Sequence, residues 1–498
     1  MQQETKSNSA SKNQVQTPQY EVAIVGAGFS GVGMAIALKK SGIENFILVE
    51  GGNDFGGTWR DNVYPGAACD VPSHLYSYSF EQNPHWTKMF AQSGEIQSYL
   101  LRIVDKWKLR PKAKFNSRIE HAQYDEINSY WRVATQNGET VTAKFVVSAC
   151  GALANPQIPE IPGKELFKGK MVHSARWPKN LDLKGKKVAV VGAGATAIQL
   201  VPAIADIVHT QYVFQRTPSW VVPKADYDIG AVEQKLYELF PFLQQIRRTT
   251  IFAITELLAT AIVFDSPMTS LLEEASKWHM RRYIDNPELL RKVTPNYRLG
   301  CKRMLISNDW YPALAKPNVH LIDHEVDSIT EKGVVSRGKE YEVDLIIFAT
   351  GFAVPSAGAP FPIIGRGGRD LNTDWQGGAE AYKGVAITGY PNMFLLMGPN
   401  TGPGHTSVLV YVEAQIEYIR QIVESFNRSH QKEIEVKKNK QAEFIQFIEE
   451  RMKSTTWTTG CQSWYLTKSG RNTTLYPGFA SEYVLSMRKF DKEDYHIR

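Results

Sequence analysis

Cysteine is scarce: Cys69, Cys150, Cys301 and Cys461 are the only four in 498 residues, with no C-x-x-C pair and no histidine at ligand spacing. This excludes a structural zinc site and the dithiol centre of a disulfide reductase, and it makes a reduced, cytoplasmic protein the expectation. Long apolar runs are also missing. The longest, Thr250 to Phe264, carries Glu256 and falls short of the ~20 residues that span a bilayer, so no transmembrane span is expected and peripheral membrane contact is the most it allows. Residues 1–19 have almost no large apolar side chains and no h-region, and they are expected to form a disordered tail, not a secretory signal. A dominant charge is absent too, since 57 basic minus 51 acidic residues leaves +6 with no concentrated Lys/Arg cluster. Nucleic acid is excluded as a partner, while an anionic small ligand fits.

What is present is a globular composition, 43% hydrophobic and 22% charged, in a chain long enough for about two to four domains. One unit occurs twice. An apolar strand from Tyr20 to Val25 runs into Gly26-Ala27-Gly28-Phe29-Ser30-Gly31 and a helix pattern over Val32 to Lys40. A second strand, Lys187 to Val191, runs into Gly192-Ala193-Gly194-Ala195-Thr196-Ala197 and another helix pattern. In G-x-G-x-x-G the first glycine permits the tight turn, the second lets backbone approach a pyrophosphate, and the third lets helix and strand pack closely. Ala in the third place is tolerated. The helix N-terminus then offers free N–H groups and partial positive charge to phosphate. Thr196 in the second turn and Ser30 in the first belong to these phosphate loops.

The residue closing the next strand distinguishes the two units. After Phe46 to Val49 comes Glu50, an acid placed to accept ribose hydroxyls and repel a 2′-phosphate. After Gln211 to Gln215 come Arg216 and Thr217, a cation and a hydroxyl suited to a 2′-phosphate. The acid-marked site is therefore expected to hold FAD and the Arg-marked site NADPH, with hydride passing between them. A third strand, Asp344 to Phe348, ends in Ala349-Thr350-Gly351. Residues 225–300 carry helical periodicity, with Ser266-Pro267 and Asn286-Pro287 as helix starts.

Two longer patterns lie around these units. Phe167-Lys-Gly169-Lys-Met-Val-His173-Ser-Ala-Arg-Trp177-Pro178 resembles F-x-G-x-x-x-H-x-x-x-W-[PD], the signature of type I Baeyer-Villiger monooxygenases. The stretch Gly56-Gly57-Thr58-Trp59 through Tyr64-Pro65-Gly66 to Asp70 is similar to that family's second signature. With the glycine turns, the resemblance covers about residues 20–410.

The resemblance implies a two-domain flavoprotein that inserts one oxygen atom from O₂ beside the carbonyl of a ketone or aldehyde, through a flavin peroxide, giving an ester or lactone. Sulfides are implied as further substrates. It places an arginine after a lysine beside the flavin, which in Gly300-Cys301-Lys302-Arg303 is Arg303, with Lys302 on the NADPH phosphate and Asp70 holding the arginine. It adds Gly57, Thr58, Trp59 and Tyr76 to the cofactor contacts. His173 joins the site set, although its motif lies on the linker between domains and is thought to govern their rotation. Two departures stand out: Ala68 occupies a position that is often arginine in relatives, and the long N-terminal extension of larger members is missing. The loop Gly398-Pro-Asn400-Thr-Gly402-Pro-Gly404-His405 is either a wall against the flavin ring or a plain structural loop.

The expected architecture is α/β, with two three-layer Rossmann-like domains. The FAD-binding domain takes residues 20–155 and 325–498, and the NADPH-binding domain takes 156–324 with a helical lobe at 225–300. Two rivals remain: a flavin-containing monooxygenase acting on sulfur or nitrogen, and a non-catalytic redox sensor.

Overall fold

The computed structural model describes residues 17–353, 359–429, 431–460, 463, 465–467 and 469–498. Most of the expected N-terminal tail, and Cys461, lie outside the described residues.

Strand β1 (Tyr20–Val25) is apolar on both faces, with Val22 and Ile24 in one core and Ala23 and Val25 in another. A strand so placed must be covered on both sides, which is the three-layer arrangement. The chain continues through helix α1 (Phe29–Lys40), β2 (Phe46–Val49) and β3 (Ala113–Lys114), then through β4 (Ile119–Asp125), β5 (Tyr130–Thr135) and β6 (Thr140–Ser148). It next builds a second sheet from β7 (Lys170–His173), β8 (Lys187–Val191), helix α2 (Ala195–Ile204) and β9 (Thr210–Phe214). Four helices follow: α3 (Ala231–Leu239), α4 (Pro241–Ile262), α5 (Pro267–Arg281) and α6 (Pro287–Val293). Ser266 caps α5 through a capping box, and the Asn286 side chain accepts from the Glu288 and Leu289 N–H groups to cap α6.

Strands β10 (Val319–Ile322) and β11 (Leu345–Phe348) complete the second sheet, whose order is β10-β9-β8-β11-β7 with every pair parallel. Strands β12 (Ile363–Ile364) and β13 (Met393–Leu395) rejoin the first, whose path is β12-β4-β5-β6-β1-β2-β3 with β13 beside β6. Helix α7 (Val408–Asn427) packs near α1, and α8 (Ala480–Ser486) lies close to the C-terminus.

The expected return to the first domain at residue 325 is corrected here. Strand β11 hydrogen-bonds to β7 and β8, so the chain leaves the second sheet only after Phe348. A short strand buried on both faces needs neighbours on both edges, and its sequence does not say which sheet supplies them. Phe348 stands in register with His173, and the two crossing segments run side by side, with Gln157 N donating to the Gly351 carbonyl at 2.9 Å.

Helix α4 carries its polarity inside out. Arg248 turns inward and donates to the His74 and Ser77 carbonyls, and Glu256 also turns inward. Phe242, Ile246, Ile254 and Leu257 face out, 54–61% exposed.

Candidate active site

Both glycine turns open onto one cleft of about 1990 Å³, with Gly26, Gly28 and Ser30 on one side and Gly192, Gly194 and Thr196 on the other. The first glycine of each turn has a positive φ, +107° at Gly26 and +119° at Gly192, and a Cβ there would lie 2.6 Å and 2.4 Å from the Ala149 and Ala349 carbonyl oxygens. Gly28 and Gly194 are the N-caps of α1 and α2, and neither helix start receives a side-chain cap. A Cβ on Gly194 would meet no atom within 4 Å, so the space above that helix start is open. Two uncapped helix starts facing one cleft form a pair of anion cradles, and they fit two pyrophosphates.

The groups that mark the two sites line the same cleft. The Glu50 carboxylate accepts from Ala27 N at 2.8 Å and Gly52 N at 2.7 Å, and it pairs with Arg60 at 3.1 Å. These bonds set its orientation beside the first turn. In the second unit Arg216 is 79% exposed and reaches Glu325 only at 3.9 Å. Lys302 sits over the Tyr297 ring at 5.0 Å, and burial followed by the nearby Arg216 charge lowers its pKa. Two cations that raise each other's energy, with Thr217 beside them in the lining, are relieved by a phosphate placed between them.

Arg303 lines the cleft and is 34% exposed at the side chain. Its Nε and Nη2 donate to Asp70 Oδ2 at 3.1 and 2.7 Å. The Asp70 charge, working against burial, holds the guanidinium above its usual range, so it stays cationic at every working pH. Asp70 ends the second signature, so the pair joins that loop to a segment 233 residues away. Next to it, Cys301 is disulfide-bonded, which corrects the expectation that all four cysteines are reduced thiols. Cys69 and Cys150 are free. Gly57, Thr58, Trp59 and Tyr76 line the cleft as well, and the Trp59 indole N–H donates to the Tyr76 hydroxyl at 3.0 Å.

Two expected site residues fall outside the cleft lining. Gly31 packs beneath the first turn, where its Cα hydrogen faces the Gly26 carbonyl. His173 is buried at the end of β7, its Nδ1 accepting from Ala175 N at 3.1 Å and its ring edge-on to Phe352 at 6.1 Å. The proton therefore sits on Nε2, and burial pulls the pKa down against the opposing influence of the Gly351 backbone. His173 thus packs against the segment that leaves the second sheet and is not part of the cleft lining.

Comparisons with known proteins agree with this geometry. A family model described as pyridine nucleotide-disulphide oxidoreductase matches residues 23–257. A Baeyer-Villiger monooxygenase from Pseudomonas aeruginosa is 43% identical over 483 residues, covering 96% of this chain and 91% of the relative. The chain belongs to the Baeyer-Villiger monooxygenases. A second relative of that name, from Streptomyces coelicolor, is 40% identical, with 96% and 92% covered. Among solved structures, OTEMO in complex with FAD and NADP superposes with a TM-score of 0.88 at 26% identity, covering 97% of this chain and all of that one. Cyclohexanone monooxygenase from Rhodococcus sp. Phi1 bound to NADP⁺ gives 0.87 at 26% identity, with 97% and 100% covered.

Seen as a Baeyer-Villiger monooxygenase, the chain also uses residues that no sequence pattern marked. Gln199 on α2 accepts from Tyr64 OH at 2.8 Å and donates to the Ala68 carbonyl at 3.0 Å. The second signature is thereby docked onto the helix that follows the second glycine turn. A glutamine on an apolar helix carries no motif, and only the folded contact identifies it.

Proposed function

We propose that the protein holds FAD at the Gly26–Ser30 turn and Glu50, and NADPH at the Gly192–Thr196 turn with Arg216, Thr217 and Lys302. With O₂ it converts ketones or aldehydes to esters or lactones, and it oxidises sulfides as a secondary activity. The observation that carries this reading is the Arg303–Asp70 pair, a fixed cation in the cleft onto which both glycine turns open. When bound, the flavin supplies the reducing equivalents and the site at which O₂ is activated. Arg303 offers N–H donors to negative charge that develops beside the substrate carbonyl, and Asp70 keeps the guanidinium from swinging away. Oxygenation of sulfur needs no such anion support, so the two activities separate at this residue.

The test is product analysis. Purified protein given NADPH, O₂ and a mixed panel of ketones, aldehydes and thioethers is expected to yield esters detectable by mass spectrometry, with sulfoxides in smaller amount. Steady NADPH consumption without any oxygenated product would instead identify an oxidase or a redox sensor.

Arg216→Ala is expected to cost the 2′-phosphate about 1.5–3 kcal/mol of charge-assisted hydrogen bonding, roughly 10- to 100-fold in kcat/KM for NADPH. The value for NADH should hardly move. An unchanged NADPH-to-NADH preference would remove Arg216 from the phosphate site.

Among the described residues no helix is long and apolar enough to cross a membrane. The uncharged outer face of α4 supports peripheral contact with a lipid surface. Cosedimentation with phosphatidylcholine vesicles checks it, and protein left in the supernatant at every lipid concentration rejects it.

A further inference from the structure

Glu256 is the charged residue on an otherwise uncharged turn of α4, and it is turned into the protein. Its Oε1 accepts from His405 Nε2 at 3.0 Å and from Ala480 N at 3.0 Å. Its Oε2 accepts from the Ser481 N–H at 3.0 Å and the Ser481 hydroxyl at 2.5 Å. Helix α8 begins at Ala480 with Phe479 as N-cap, which offers no side-chain oxygen, so Glu256 caps it from 224 residues away. Burial raises the Glu256 pKa, but the bonds from His405 and Ser481 outweigh it and bring it down to about 2. The carboxylate is therefore charged at neutral pH. His405 has a side chain only 1% exposed, and its Nδ1 has no partner among the described residues, so the bond to Glu256 is what orients the ring.

What this carboxylate joins is the wall of the cleft. His405 ends the glycine-rich loop after β13, of which Gly398, Pro399, Gly402 and Pro403 line the cleft, as does Thr406 directly after it. One residue along α4, Thr255 bonds Thr406 hydroxyl to hydroxyl at 2.8 Å. The loop's far side is stitched to residues 472–476 by Asn400 N to Thr473 O at 2.9 Å, Gly402 N to Thr474 O at 2.9 Å and Tyr476 N to Gly402 O at 3.0 Å. The last turn of α4 reaches the arginine segment, since a Cβ on Gly300 would lie 2.6 Å from the Ile262 carbonyl oxygen. Helix α4 thus touches the glycine loop at Thr255 and Glu256 and the Gly300–Arg303 segment at Ile262.

We propose that Glu256, acting through His405, is a positioning residue for the oxygenation step. It fixes the glycine loop against α4, so that the loop and Arg303 face each other across the cleft at a set separation. This rests on the reading of the cleft as the oxygenation site. A displacement of about 1 Å in such a site costs up to ~100-fold in a reaction that depends on alignment, while steps that do not use that wall are spared.

The experiment uses the FAD-loaded full chain. Glu256→Gln keeps the size of the side chain but cannot accept from His405, Ala480 and Ser481 at once. It is expected to lower ester formed per NADPH by about ten-fold, with hydrogen peroxide replacing product. KM for NADPH and the anaerobic flavin reduction rate should stay within about two-fold, because the second glycine turn is untouched. His405→Leu should match it, whereas His405→Gln, which keeps a donor for Glu256, should restore coupling. A Glu256→Gln protein whose melting temperature falls while its product yield is unchanged would overturn the proposal, as would equal coupling in His405→Leu and His405→Gln. If the unsubstituted protein makes no ester at all, it is the reading of the cleft that fails and not the role of Glu256.

Discussion

Arg303→Ala is expected to lower ester formation from a ketone by about 100- to 1000-fold, the usual cost of removing one preorganised donor from a developing anion. Flavin reduction by NADPH should persist at near its original rate, because Arg216, Thr217 and both glycine turns are left intact. Oxidation of thioethers should fall far less, which shifts the product ratio from ester to sulfoxide. The alanine variant leaves the Asp70 carboxylate, 31% exposed, without its guanidinium, so some loss of stability will accompany the loss of rate. The Asp70→Ala/Arg303→Ala double variant separates the two effects. It should be as inactive toward ketones as the single variant, since the two residues act as one unit. Arg303→Lys keeps the charge but loses the planar fork, so an intermediate rate is expected. Because Asp70 holds Arg303 above the usual arginine range, an activity change between pH 6 and 9 belongs to another group. Ketone turnover that survives in both the single and double variants would take the reacting cation away from this position.

Gly31→Ala is expected to yield protein that does not retain FAD. A Cβ on Gly31 would sit 1.9 Å from the Gly26 carbonyl oxygen, backbone against backbone, so α1 would have to move off β1. Overpacking that side chains can absorb costs about 1–3 kcal/mol, and a clash with fixed backbone should exceed that. Gly28→Ala is the informative contrast. Its Cβ would lie 3.6 Å from the Gly57 Cα, an ordinary contact, so the apoprotein should melt within about 2 °C of the parent, while flavin affinity falls because the added methyl occupies the approach to the pyrophosphate. Gly194→Ala should fold, stay yellow and lose only NADPH affinity, since nothing lies within 4 Å of its Cβ position. Absorbance of bound flavin, a thermal melt and KM for NADPH distinguish the three. A yellow, stable Gly31→Ala protein would show that the third glycine is not needed for packing.

Much of the fold and of the site can be read from the chain because the controlling interactions are local. A glycine turn between an apolar strand and a helix is specified within about a dozen residues, so Gly26–Gly31 and Gly192–Ala197 announce themselves, as do Glu50 and Arg216 one strand later. Caps such as Ser266 and Asn286 are legible for the same reason. The second family signature supplied Asp70, and the lysine-arginine segment at Gly300–Arg303 supplied Arg303 by likeness; their pairing across 233 residues is visible only in the folded chain.

What the amino-acid order determined by itself is the pair of nucleotide turns, the charge that marks each of them, and the membership that follows from the two signatures. What tertiary structure decided is which sheet claims Leu345–Phe348, that His173 lies against Phe352 and outside the cleft lining, and that Gln199 and Glu256 bind loops from other parts of the chain. The physical reason is the range of the forces involved. Backbone conformation and capping are settled among near neighbours, whereas strand pairing and a buried carboxylate's hydrogen bonds exist only once distant segments have been brought together.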